Sequence, residues 1–432
     1  MLPQISPIRV AICGGGLAGA SLIQALLQYS HLDVHIFESA PAFKEAGMTI
    51  GVTRNALTAL ELLGPAAAKA LESAGAVPMR GVRFLLARGE NSGTVLGEVD
   101  YTTSGEKRLT SIVHRADFLR ELLSTVPREK MHTSKKVNEI VTAGDSGEIT
   151  LHFTDDTTHK TDILIGADGI HSTVRKFILG EEDPASVPRS TGVWTAMTLQ
   201  PYAQARVSIG AKAVNLEDPY EHSWIGNGSF VMHNLLSNGQ LVQLVIAARD
   251  EPSKNKPDQW HRLVSADEIK KATRGWPDHL AKAIDALLCS QSGQPAMYLW
   301  DHAPARTYVD GSVCIMGDAA HATTPWQGSG AGMSLEDSLI LSSLLGEVKT
   351  PREARVALKV YDDARRPRTQ DIVQSSRETG DILLGGGALE GYLQEPGTFL
   401  KRWDVILDLD VGKHREEALR NLHAGLKNAA QA

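Results

Sequence analysis

The sequence predicts a mixed α/β protein, and three observations carry that prediction. An apolar run from Ile8 to Cys13 passes through a glycine-rich turn straight into an apolar, helix-forming stretch from Ala20 to Leu27. Between residues 181 and 294 the pattern changes to alternating strands with two Asn-Gly pairs, a mark of antiparallel hairpins. A further strand-turn-helix passage follows residue 295, and the remainder is helical and charged. At 432 residues the chain is too long for one core, so more than one packed unit is expected.

The first unit begins with the buried strand Ile8-Arg9-Val10-Ala11-Ile12-Cys13 and the turn Gly14-Gly15-Gly16-Leu17-Ala18-Gly19. Gly14 permits the tight turn, Gly16 lets backbone approach a pyrophosphate, and Gly19 lets the helix pack on the strand. The helix start presents free N–H groups to the anion. A second strand, Asp33 to Phe37, ends at Glu38, about 20 residues past the glycines, where a carboxylate can accept hydrogen bonds from ribose hydroxyls. Strand, turn, helix and acid make a Rossmann-like dinucleotide-binding unit. They do not distinguish NAD from FAD.

Residues 43–56 are punctuated by glycines, among them Gly51, which would allow backbone to lie close to a bound cofactor. Arg54 is suited either to an anionic substrate or phosphate, or to a solvated loop. Strand-like Val82–Leu86 precedes Ser111–His114, which leads through Arg115 into a helix; Arg115 is placed for a phosphate or for a surface salt bridge. After a hairpin-like stretch from Val137 to Phe153, a buried strand runs from Asp162 into Gly166-Ala167-Asp168-Gly169 and a short helix. A second strand-acid-glycine turn in one nucleotide fold suggests a second contact with the ligand.

Asn227-Gly228 and Asn238-Gly239 predict a three-stranded meander over His222–Gly226, Ser229–Ser237 and Gln240–Ala248. Two-residue loops then set His222 opposite His233, Trp224 opposite Val231, Leu235 opposite Val242 and His233 opposite Leu244. Period two places His222, Trp224, Val231, His233, Leu235, Val242, Leu244 and Ile246 on one face. That apolar wall with two imidazoles and an indole suits a small-molecule pocket; equally, both histidines could be core residues. A metal site there lacks a third ligand.

Asp267–Cys289 reads as helix that could cover the sheet. A strand then ends at Gly317-Asp318, Pro325 stops the following turn, and Gly328, Gly330 and Gly332, with Ala331 between the last two, open a helix over Ser334–Leu345. Such a start aims backbone N–H groups at an electron-rich ligand edge. Helices follow, with breaks expected at Pro367 and Gly385-Gly386-Gly387 and a last helix over Glu416–Asn428.

The net charge of −7, without basic runs interleaved with aromatics, argues against nucleic acid as a partner. The three cysteines, Cys13, Cys289 and Cys314, lie in or beside apolar runs without metal-ligand spacing and read as reduced thiols. With neither a signal-peptide pattern nor a run approaching ~18 apolar residues, a cytoplasmic protein is expected.

Taken together, Gly14–Gly19 with Glu38, Asp168-Gly169, and Gly317-Asp318 with Pro325 and Gly328/Gly330 resemble the FAD-dependent aromatic hydroxylases, in particular their salicylate-hydroxylase-like branch and fungal relatives in secondary metabolism. The resemblance spans essentially the whole chain. It implies an FAD-binding domain in two parts, 1–180 and 295–375, a substrate-binding β-sheet domain inserted at 181–294, and a C-terminal helical segment at 376–432. It also implies that Glu38 binds the adenosine ribose, Arg115 the phosphates and Asp318 the ribityl chain or pyrophosphate, while Gly330 and Ala331 approach the isoalloxazine. Asp168 would serve both FAD and a transiently visiting NAD(P)H. His233, Arg54, Trp224 and Pro325 are the substrate-pocket or flavin-proximal candidates, and no metal is expected.

The activity implied is NAD(P)H- and O₂-dependent insertion of one oxygen into an electron-rich, phenolic ring through a flavin C4a-hydroperoxide, by a monomer or homodimer. Alkene epoxidation or indole oxidation is the alternative. Many relatives have an arginine in the first strand of the substrate domain that aligns with Met197 here; Arg206, Arg54, His222 or His233 would have to replace it, or the substrate is neutral.

Overall fold

Strands that are apolar on both faces pair in parallel and are buried by helices, and the chain obeys this at once. In the computed structural model, which describes residues 6–44, 49–90, 92–100, 110–143, 147–210, 214–250, 258–385 and 395–431, Ile8–Cys13 pairs in parallel with Leu32–Phe37 on one side and Ile163–Gly166 on the other. The six-stranded sheet runs in the order Val309–Asp310, Val313–Ile315, Ile163–Gly166, Ile8–Cys13, Leu32–Phe37, Met131–His132. Connections leave the first strand in both directions, so a crevice opens at its carboxyl end, where open α/β sheets bind ligands. Helices Leu17–Leu26 and Gly330–Glu347 pack together in the core that covers it.

The second sheet has eight strands, in the order His261–Ser265, Gly293–His302, Pro188–Pro201, Leu241–Arg249, Ser229–Leu236, Tyr220–Ile225, Gly81–Leu86, Val95–Asp100. It is not confined to 181–294. Gly81–Leu86 adds in parallel to Tyr220–Ile225, and Gly293–His302 runs across the expected boundary at 294. The meander forms as expected: all four predicted pairs, His222–His233, Trp224–Val231, Leu235–Val242 and His233–Leu244, are directly opposite. Asn238 and Gly239 both take positive φ (55° and 77°), whereas at the other turn only Gly228 does (77°). Both loops nonetheless keep two residues, and the predicted register holds.

Helices Tyr202–Ile209, Ala266–Ala272 and Asp278–Leu288 cover one face of this sheet. The opposite face looks toward Met333, Trp326, Phe399 and Trp403. A small sheet of Thr49–Val52, Thr110–His114 and Val77–Met79 adds Met79 and Ile112 to that second core.

Pro367 does not break the chain. It lies inside one helix, Pro351–Leu383, which also crosses the expected boundary at 376. A missing N–H and a ring clash cost about 3 kcal/mol, which the tertiary contacts of this buried helix offset. Gly385 takes positive φ (79°) just beyond the helix; Gly386 and Gly387, and Gly47 of the 43–56 stretch, lie outside the described residues. The last helix is longer than predicted, Val411–Gln431. Among the described residues no helix is long and apolar enough to cross a membrane, and no group of three or more metal-ligating side chains occurs.

Candidate active site

The three motifs, far apart in the chain, interlock. Gly14 has φ +109°, and a Cβ there would fall 2.1 Å from the Ala167 carbonyl oxygen; Ala167 N in turn donates to Cys13 O at 2.7 Å. A Cβ on Gly19 would fall 2.0 Å from Gly14 O, and one on Gly317 (φ +57°) 2.7 Å from Ala18 Cβ. These glycines are required by close approach of backbone to backbone or of turn to helix, and they bring the first, second and third motifs to one crevice.

Around it the polar groups are held in place. Glu38 accepts hydrogen bonds from Gly15 N (2.8 Å), Ala40 N (2.7 Å) and Ser39 Oγ (3.1 Å), which sets its carboxylate beside the glycine turn. Gly16 caps helix Leu17–Leu26 without a side-chain bond, leaving the helix start to backbone donors. Asp168 accepts from Ser172 Oγ (2.5 Å), Thr173 N (2.7 Å) and Val174 N (3.3 Å), so it caps helix Thr173–Leu179 while standing at the crevice. Burial raises its pKa, against the pull of those bonds. Asp318 is exposed at the start of the turn Asp318–His321. Arg115 opens helix Arg115–Leu123 after the strand that pairs with Thr49–Val52, Gly51 included.

A buried ionic network behind the crevice fixes the third motif. Asp337 accepts from Gly317 N (3.0 Å), His321 Nε2 (2.6 Å) and Arg365 Nε (2.8 Å). Glu336 meets Arg365 (2.7 Å), Arg368 (3.0 Å) and Asn55 Nδ2 (2.5 Å). Burial alone would raise both carboxyls, but the surrounding cations hold each down at about 2. None of these residues stood out in the sequence. The available signal was an acid pair inside an otherwise apolar helix, since buried acids must be paired.

The turn that follows the third motif packs on the eight-stranded sheet. Pro325 is exposed at the first position of the short turn Pro325–Gln327, and the Trp326 ring lies edge-on to Phe230 with centroids 5.6 Å apart. Gly330 and Ala331, both half-buried, start helix Gly330–Glu347 immediately after. On the sheet, Met197, Val245 and Met232 lie directly opposite one another on three adjacent strands. All three strands are internal to the sheet, yet all three side chains stay partly exposed. Met232 shares its apolar cluster with Trp326 and Met333 at the glycine-rich helix start.

A family model described as an FAD binding domain matches residues 7–376. The chain belongs to the FAD-dependent aromatic hydroxylases. It is 39% identical over 435 residues to the 6-methylsalicylate 1-monooxygenase of Aspergillus terreus, covering 97% of this chain and 93% of that protein. To a salicylate hydroxylase of Pseudomonas putida it is 34% identical over 426 residues, covering 94% and 95%. A solved salicylate hydroxylase substrate complex has the same architecture, with a TM-score of 0.82 and 26% identity over 96% of this chain and 98% of that one. The protein is an FAD-dependent monooxygenase of the salicylate-hydroxylase-like branch, and the crevice, with its close glycine packing and uncapped helix start, fits the cofactor.

The structure of the monooxygenase places three of the pocket candidates away from the sheet face that carries Met197. His233 and Trp224 are buried on the opposite side of the sheet, in the core beneath helix Asp278–Leu288. Trp224 Nε1 donates to His233 Nε2 at 3.2 Å, and the His222 and His233 rings stack with centroids 5.0 Å apart. Burial lowers the pKa of both imidazoles, that of His222 to about 4, so the pair is neutral. Arg54 is turned to the C-terminal segment, donating to Leu407 O (2.7 Å) and Asp408 (2.9 Å). Arg206 is exposed on a helix of the covered side. None of Arg206, Arg54, His222 and His233 lies on the sheet face that carries Met197.

Proposed function

We propose that this monooxygenase uses NAD(P)H and O₂ to insert one oxygen into an electron-rich phenolic ring bound between the Met197–Val245–Met232 row and the Pro325–Gly330 turn. The observation that carries the reading is that row: apolar, central in the sheet, partly exposed, and facing the glycine-rich helix start. FAD, when bound, supplies the redox and oxygen-activating chemistry. The chain's own residues bind, orient and exclude water. Glu38 would accept from the ribose, Arg115 and the N–H groups after Gly16 would meet the phosphates, and Asp318 would reach the ribityl chain or pyrophosphate. The N–H groups from Gly330 onward would face the flavin edge, where negative charge is favoured by a helix start. The apolar walls keep water from the reacting centre, which protects it against uncoupled decay. The names of the relatives, a 6-methylsalicylate monooxygenase and a salicylate hydroxylase, support a small phenolic substrate.

The test is the visible spectrum of the purified protein, followed by NAD(P)H oxidation under air against phenols, benzoates, indoles and alkenes with product identification. Flavin bands and a hydroxylated phenolic product are expected; turnover of alkenes or indoles alone would overturn ring hydroxylation. Asp318→Ala should weaken FAD binding by about tenfold or more, ~1.4 kcal/mol. The melting temperature of the FAD-free protein should not change, because the side chain is exposed. Unaltered flavin affinity would remove Asp318 from the cofactor site.

A further inference from the structure

The segment Pro396–Asp408, beyond the residues 7–376 that the FAD binding domain model matches, reaches back to the turns around the glycine-rich helix start. Phe399 and Trp403 close on Phe84 of strand Gly81–Leu86, with ring centroids 5.2 Å and 5.4 Å away, and this docks the segment on the second core. The Arg402 side chain ties it to helix Pro351–Leu383 through Thr379 Oγ1 (2.9 Å), Ser375 O (3.0 Å) and Glu378 (2.8 Å). The docked backbone then accepts hydrogen bonds from two places. Gln327, buried in the turn Pro325–Gln327, donates from Nε2 to Arg402 O at 2.8 Å. Arg54, at the start of helix Arg54–Leu63, donates from Nε to Leu407 O at 2.7 Å and pairs with Asp408 at 2.9 Å. A further set of bonds closes a ring. Arg368 donates to Val405 O and Ile406 O and, from the same guanidinium, to Glu336 at 3.0 Å and 3.1 Å. Asn55, next to Arg54, donates to Glu336 as well. The start of helix Arg54–Leu63 is thus held by Glu336 on the inside and by the segment on the outside. It lies against the first turn of helix Gly330–Glu347, since a Cβ on Gly332 would fall 3.4 Å from Ala56 Cβ and 3.7 Å from Thr53 Oγ1.

We propose that the segment Pro396–Asp408 positions the oxygenation site, acting through Gln327 on the Pro325–Gln327 turn and through Arg54 on the start of helix Arg54–Leu63. The proposal rests on the monooxygenase reading above, which sets the ring to be oxygenated beside that turn. Arg54, Gln327 and Arg402 are positioning residues: each acts on the backbone of an element that flanks the helix start. Position matters here because a misplacement of about 1 Å costs on the order of 100-fold in rate. A substrate held out of place leaves the oxygen unused, and the balance becomes NAD(P)H + H⁺ + O₂ giving NAD(P)⁺ + H₂O₂. Two electrons from the reductant then go to hydrogen peroxide, with the second proton taken from solvent, and no oxygen reaches the ring. Loosening the segment therefore lowers the yield of product per reductant consumed before it lowers FAD binding, whose proposed contacts lie at Glu38, Arg115 and Asp318.

The experiment compares the full-length, FAD-loaded wild type with Arg402→Met, Arg54→Met and Arg54→Lys. It reads FAD affinity, the visible circular dichroism of the bound flavin, and product formed per NAD(P)H consumed, using the phenol of the panel above that the wild type hydroxylates fastest. Arg402→Met and Arg54→Met should each lower product per NAD(P)H by about threefold or more and alter the flavin signal, with FAD affinity within about threefold of the wild type. Arg54→Lys, which keeps one donor for Leu407 O or Asp408, should recover about half or more of the lost coupling. Since both residues hold one segment, the double variant should lose less than the two single effects multiplied together. A lower melting temperature with coupling and flavin signal unchanged in both Met variants would reduce the segment to packing and overturn the proposal. So would an Arg54→Lys variant as uncoupled as Arg54→Met. Failure of the wild type to bind FAD, or to hydroxylate any phenol, would overturn the underlying reading and this proposal with it, and is seen before any variant is compared.

Discussion

The two faces of the eight-stranded sheet have much the same composition and opposite jobs. On the covered face, His222, Trp224 and His233 lie among Val231, Val242, Leu244 and Ile246 and are sealed by helices. On the cleft face, Met197, Met232 and Val245 lie beside Gln243 and Asn234 and remain partly open or unpartnered. Each face is apolar with a few polar groups, the pattern usual for a ligand pocket. What separates them is what lies against them: helices seal the covered face, whereas Met197, Met232 and Val245 on the other stay partly exposed.

The largest effect should come from the sealed face. Trp224→Ala removes a fully buried indole and the donor to His233, so about 3–5 kcal/mol of stability should be lost in denaturant unfolding; turnover per flavin of the molecules that remain folded should be unchanged. Reduced turnover at full stability would place Trp224 in the catalytic pocket after all. Next comes acid. The neutral His222 has a folded pKa of about 4 against about 6.5 unfolded, so the unfolded chain binds more protons between those values. Its contribution, up to about 3 kcal/mol, is complete above pH 6.5 and lost as pH falls toward 4. His222→Leu should flatten that part of the stability–pH curve, and an unchanged slope would contradict the buried, neutral pair. The smallest stability effect belongs to the cleft: Val245→Ala should cost under about 1 kcal/mol because the side chain already borders open space, yet change KM for the phenolic substrate severalfold. A large stability loss with an unaltered KM would make Val245 ordinary core.

Much of this site was legible one residue at a time. The elements that carry the glycine turn, Glu38, Asp168 and Asp318 were recognisable because each belongs to a short strand-turn-helix passage whose chemistry is local, and the resemblance then tied the passages together; the roles of these residues toward FAD stand as proposals. The meander register was legible because two-residue loops leave it no freedom. Arg54 was not, because its partners Leu407 and Asp408 lie more than 350 residues along the chain. Nor was the Asp337–Arg365–Glu336 network, whose members declare themselves only when helices pack and burial forces charges to pair.

Alternation along a strand settles which side chains share a face, and loop length settles which lie opposite. Both depend on neighbouring residues alone, so order along the chain was sufficient for them. Which face becomes core and which becomes cleft depends on what is laid against it: helix Asp278–Leu288 on one side, and the turn and helix start at Pro325–Gly330 on the other. The contacts of Gly14 with Ala167 and of Gly317 with Ala18 are of the same kind. They join segments that are distant in the chain, and only packing in three dimensions brings such segments within reach of one ligand.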